Sequence, residues 1–146
     1  MVELQSIENT VRQLVRLHQS NDPFKLAEAC GIIVVRENLG TIRGYFGKSF
    51  GSRVIHVNES LNEIDARFTC AHELGHAILH PKTNTPFLRG NTMFSVNKLE
   101  RQANLFAVCL LCPHELMEEG KAMGYTVGQI ASQTGIPEEM LLWRVS

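Results

Sequence analysis

Asn62-Glu63-Ile64-Asp65-Ala66-Arg67-Phe68-Thr69-Cys70-Ala71-His72-Glu73-Leu74-Gly75-His76-Ala77-Ile78-Leu79-His80-Pro81 reads as one helix that carries its chemistry on one face. Asn62 suits the cap, because its side chain can accept from a backbone N–H that the first turn leaves unpaired. Glu63 and Asp65 put carboxylates at the positive end of the helix dipole. Pro81 ends the helix at His80, since the residue before a proline is pushed out of the helical region.

Residues four apart on a helix stand one turn above each other, so His72 and His76 can present two imidazoles to one ion, with Glu73 beside them. A catalytic zinc site takes three protein ligands and keeps a fourth position open, and an adjacent carboxylate can carry protons for a hydrolytic reaction. A five-residue match is short enough to arise by chance, but this one falls within a capped and largely uncharged helix. Two histidines and a glutamate buried there are costly unless something satisfies them.

The third ligand can be sought by geometry. His80 continues the row, but it lies roughly 12 Å along the axis from His72, too far to share the ion in an unbroken helix, so it is expected as a hydrogen-bonding neighbour. A three-histidine architecture asks for glycine at position 79 and histidine at position 82, where this chain has Leu79 and Lys82. Glu100 opens a downstream helix and shares a face with Asn104 one turn on. That pair offers a carboxylate ligand and an amide that can steady a histidine from behind.

Around this core the chain alternates between helical and extended patterns. Apolar residues at helical spacing predict a helix over Glu3 to Gln19, and Asp22-Pro23 opens another from Phe24 to Cys30, ended by Gly31. Strands are expected at Ile32–Val35, Gly44–Phe46 and Arg53–Val57, the last two as a hairpin around Gly47 to Gly51. Arg53–Val57 could form an edge on which an extended peptide aligns. Residues Lys82 to Asn97 show no period and are expected to form a loop. A helix follows from Lys98 to Cys112, closed by Pro113, with short helices at His114–Met123, Thr126–Thr134 and Pro137–Arg144. The expectation is an α+β fold with a three-stranded, mainly antiparallel sheet. It forms a single domain over residues 1–146, with a catalytic core at 1–112 and a small helical extension at 113–146.

Composition narrows the function classes. Fourteen basic residues against fifteen acidic ones give a net charge of −1, so no global footprint for nucleic acid or anionic membrane exists. The start Met1-Val2-Glu3-Leu4-Gln5 has no secretory pattern and no run is long enough to span a bilayer, which points to a cytoplasmic protein. Cys30, Cys70, Cys109 and Cys112 are too few for a disulfide scaffold, and Cys109 and Cys112 lack a second pair to complete a structural zinc site. The segment from Thr126 to Arg144 has a helix-turn-helix outline, but with so little basic character nearby it is read as a packing module. Tyr45, His56 and His114 are possible donors to an oxyanion, and the sequence does not choose among them.

The stretch Arg67 to His76, followed by His80 and then by Glu100-x-x-Ala103-Asn104-x-Phe106-Ala107-x-x-Leu110-Leu111-x-Pro113, closely resembles the ImmA/IrrE family of metallopeptidases. The resemblance is strong from Val54 to Pro113 and weaker towards Arg144. It departs at Cys112, where the family commonly has Met. It implies a minimal thermolysin-like fold, with zinc bound by His72, His76 and Glu100 and with Glu73 catalytic. It also implies a partner: such proteins cleave a helix-turn-helix repressor to release transcription. The rival function is a zinc-binding regulator that holds a repressor, or another protein, without cutting it.

Overall fold

The computed structural model describes residues 2–85 and 93–145. Among these residues, seven helices and three strands run in the order α1 (Val2–His18), α2 (Pro23–Ala29), β1 (Ile33–Glu37), β2 (Gly44–Ser49), β3 (Ser52–Asn58), α3 (Glu63–Leu79), α4 (Met93–Leu111), α5 (His114–Ala122), α6 (Val127–Thr134) and α7 (Glu138–Val145). The caps read from sequence are in place. Asp22 accepts from the Phe24 N–H at 2.9 Å ahead of Pro23, and Asn62 accepts from the Asp65 N–H at 2.8 Å.

The sheet is α+β in setting and mixed in direction, with strand order β1-β3-β2. The hairpin β2–β3 is antiparallel and turns at Phe50–Gly51, while β1 pairs with β3 in parallel. Two expectations change here. The sheet is half parallel rather than mainly antiparallel, and β3 is its central strand, so it cannot offer an edge to a peptide. The parallel pairing is long-range and leaves no local mark in the sequence.

The free edge nearest α3 belongs to β2. Part of it is already occupied: the Phe46 N–H donates to Thr85 Oγ1 at 2.8 Å, Thr85 donates back to the Phe46 carbonyl, and the Lys48 N–H donates to Asn84 Oδ1. By the two-residue alternation of a strand, Gly44 also turns its N–H and C=O outward. A Cβ at Gly44 would meet the His56 carbonyl and Thr69 Cγ2, both at 2.6 Å. Only glycine lets β2 approach α3 so closely at this point.

The core lies between the sheet and the α3–α4 pair. Phe46, Ile55 and Val57 from the sheet meet Cys70, Ala71 and Leu74 of α3, with Phe106 and Leu110 of α4 behind them, all at most 1% exposed. Burying a side chain of the size of Leu or Phe in this way stabilises the fold by roughly 1.5–3 kcal/mol. Helix α1 packs on α4, and α6 and α7 pack on α3 and α4 through Ile130, Ile136 and Leu141. The helix-turn-helix outline at the C-terminal end thus spends its apolar faces on the core. Helix α4 begins at Met93, five residues before the Lys98 start read from sequence, so the expected loop is shorter; residues 86–92 of it lie outside those described.

Candidate metal centre

Helices α3 and α4 cross where Gly75 leaves no side chain between them. A Cβ there would sit 3.0 Å from Phe106 Cβ and 3.1 Å from the Ala103 carbonyl oxygen. This close approach lets a residue of α4 reach the imidazoles of α3. Glu100 Oε1 lies 2.8 Å from His76 Nε2, and Glu100 Oε2 lies 3.3 Å from His72 Nε2. One ligand atom from each of His72, His76 and Glu100 falls within 4.8 Å of the others. Glu73, 6% exposed, sits beside them with Oε2 3.9 Å from His72 Nε2.

The nitrogens turned away from this point are held from behind. His72 Nδ1 bonds Asn104 Oδ1 at 2.7 Å, His76 Nδ1 meets His80 Nδ1 at 3.0 Å, and His80 Nε2 bonds Gln102 Oε1 at 2.7 Å. His80 is therefore next to the cluster but outside it, as its position on the helix axis requires. With the Asn104 oxygen accepting, His72 carries its proton on Nδ1 and turns Nε2 towards Glu100.

Electrostatics follow from this geometry. Burial works against a charged imidazole at His72, but the carboxylates of Glu100 and Glu73 and the Asn104 amide outweigh it and push His72 up. At His76 and His80 burial dominates and pulls the imidazoles down. Burial would raise Glu100, yet the two histidines reverse that and hold its carboxyl far below the usual carboxylate range. Two imidazole nitrogens and a carboxylate converging in the interior form a borderline N/N/O donor set of the kind zinc takes. The residues present fit that ion.

A cleft of about 450 Å³ opens over the cluster. Thr41, Ile42, Arg43, Gly44, Phe68 and Thr69 form its walls, with His72, Glu73, Glu100 and Asn104 at its base. Tyr45, His56 and His114 do not line it. His56 bonds Glu37 at 2.6 Å and stacks on Tyr45 on the sheet, and His114 accepts from Arg144 at 2.8 Å. Arg43 and Gln102 escaped the sequence reading. No sequence signal singled out Gln102; in the structure it is half-buried, like Glu100 and Asn104, while Arg101 is exposed.

A His-Glu-x-x-His helix is thus crossed by a glutamate-bearing helix on an α+β frame. The model of the peptidase family described as the IrrE N-terminal-like domain matches residues 27–146, and the chain belongs to this ImmA/IrrE family. It is 38% identical over 135 residues to the uncharacterized immunity region protein 2 of Bacillus phage phi105, a match covering 92% of this chain and 85% of that one. It is 28% identical over 144 residues to the metallopeptidase ImmA of Bacillus subtilis strain 168, covering 96% and 84% respectively. A solved Mycobacterium tuberculosis transcriptional regulator shares the fold with a TM-score of 0.64 at 19% identity; the match covers 99% of this chain but only 46% of that one.

Proposed function

We propose that the chain is a zinc-dependent endopeptidase of one domain that acts in the cytoplasm, with His72, His76 and Glu100 holding the ion and Glu73 as the proton carrier. The observation that carries this is the convergence of His72 Nε2, His76 Nε2 and the Glu100 carboxylate at the base of an open cleft, with Glu73 adjacent. Zinc at such a site supplies Lewis acidity that polarises a peptide carbonyl and brings the pKa of water to about 7.

The remaining work falls to the chain. Glu73 takes the proton of the attacking water and returns it to the departing amine, a role worth about 10²- to 10⁴-fold in rate. Asn104 fixes the ring of His72. The outward N–H and C=O of Gly44 can pair with an extended peptide lying along the cleft, while Asn84 and Thr85 close the next stretch of the same edge. Helices α6 and α7 brace α3 and α4 through Ile130, Ile136 and Leu141.

For the substrate, we favour a helix-turn-helix repressor. The similarity to a phage immunity-region protein and to the metallopeptidase ImmA supports that choice. The test is to incubate the zinc-loaded chain with a purified helix-turn-helix repressor of the kind phage immunity regions would supply. Specific fragments are expected, and Glu73→Gln should slow their appearance by about 10²- to 10⁴-fold. A stable complex with uncut repressor would favour a binding regulator instead, and full cleavage by the Gln variant would remove Glu73 from the reaction.

A further inference from the structure

Behind His76 runs a chain of two hydrogen bonds that ends on an amide, and in front of it stands Glu100. Gln102 Oε1 lies 2.7 Å from His80 Nε2, His80 Nδ1 lies 3.0 Å from His76 Nδ1, and His76 Nε2 lies 2.8 Å from Glu100 Oε1. His76 is fully buried and His80 nearly so. A neutral imidazole donates from one nitrogen and accepts at the other, so the polarity of one bond dictates that of the next.

With the Gln102 oxygen accepting, His80 must donate from Nε2, and its Nδ1 accepts the proton of His76 Nδ1. The lone pair of His76 Nε2 then faces Glu100 and is available to a metal. If the amide is turned over, its NH₂ donates to His80 Nε2, and each ring carries its proton on the other nitrogen. His76 Nε2–H then points at Glu100 as a donor and cannot ligate. The two arrangements contain the same number of protons, run in opposite directions, and only the second closes a hydrogen bond to Glu100.

We propose that Gln102, acting through His80, is a positioning residue that sets the tautomer of His76 and thereby the affinity of the site for zinc. This rests on the reading of His72, His76 and Glu100 as the metal site. The two histidines are held differently: His72 meets its amide directly, whereas His76 is reached through a second imidazole. Because a glutamine amide can be turned either way, the chain can follow His76 between a metal-free state, in which Nε2 donates to Glu100, and a loaded one. A carboxylate in the same place could not reverse.

The experiment measures zinc affinity by competition with a chromophoric chelator, together with ¹⁵N spectra that report which ring nitrogen of His76 carries the proton in the metal-free protein. Gln102→Met removes the terminal acceptor and should weaken zinc binding about 10- to 100-fold. It should also leave the His76 proton on Nε2. His80→Glu presents an acceptor directly to His76 Nδ1, so it should keep tight binding, hold the proton on Nδ1, and make a second substitution at Gln102 silent. Should Gln102→Met not fold, His80→Leu cuts the same chain one step nearer, with the same loss expected. An unchanged affinity in both chain-cutting variants, or an equal loss from Gln102→Met in the His80→Glu background, overturns the proposal. If the unaltered chain binds no zinc, the metal site itself falls, an outcome distinct from zinc binding that ignores position 102.

Discussion

Helix α4 passes through two clusters of polar side chains, roughly 18 Å apart from Glu100 to Cys112 at 1.5 Å per residue. At the Cys112 end, Arg144 of α7, 5% exposed, bonds Glu8 at 2.6 Å, the Cys112 carbonyl at 2.9 Å and His114 at 2.8 Å, and Cys109 donates to the same Glu8 oxygen. A cation meets an anion, and the pair ties α1, α4, α5 and α7 together. At the Glu100 end, two imidazole nitrogens and a carboxylate point at one another, and the demand for positive charge shows in the raised His72. The first cluster balances its own charge and so serves structure. The second gathers ligand atoms on a point, where the proposed zinc ion would complete it.

If that contrast is right, the clusters respond oppositely to loss of a member and to added metal. The largest effect on stability should come from Arg144→Met, which leaves Glu8 only its half-exposed partner Arg12 at 3.2 Å and should lower the unfolding free energy by about 3 kcal/mol in urea titrations, with or without a chelator. Zinc at a hundredfold above its dissociation constant should raise stability by about 2.7 kcal/mol. Glu100→Gln should lose that increment. Arg144→Met should keep it, because sites this far apart add to within about 0.5 kcal/mol. A zinc increment that vanished with Arg144 would break the comparison.

The smallest effect is one of pH. Burial would raise the Glu8 carboxyl, but bonds from Arg144 and Cys109 outweigh it and hold it below its ordinary value. Its contribution is therefore present above the unfolded-state value of about 4.3 and is lost as pH falls through the folded one. Chemical denaturation of the unaltered chain and Glu8→Gln at several pH values should show a stability gap that is widest near neutrality and closes in acid. A gap that widened in acid would contradict the pairing with Arg144.

What could be read in advance follows from what is local. The α3 helix, from the Asn62 cap to its end before Pro81, was legible because caps, breakers and i, i+4 spacing act within a few residues. Glu100 and Asn104 were legible for the same reason, as one face of one helix. The parallel β1–β3 ladder and the central place of β3 were not, since they join segments about twenty residues apart. Gln102 was hidden because it acts on another side chain, so no ligand spacing singles it out. The site roles of Tyr45, His56 and His114 were suggested by residue type alone, and the fold turns all three elsewhere. Cys109 shows burial at work: its thiol is pushed up to about 12, largely by desolvation, which makes it an inert part of the interior rather than a redox partner of Cys112.

Gly75 acts as a shim of zero thickness between α3 and α4. The gap it sets fixes how far the Glu100 carboxylate stands from the two imidazoles, and so the bore of the cage they form. In the proposed zinc site, the fit of the ion would then be set not by any ligand but by the one residue in His72-Glu73-Leu74-Gly75-His76 that has nothing to contribute except its absence of bulk. A larger residue there would act as a wedge, widening the cage towards bigger and more loosely held cations while every ligand remained in the sequence.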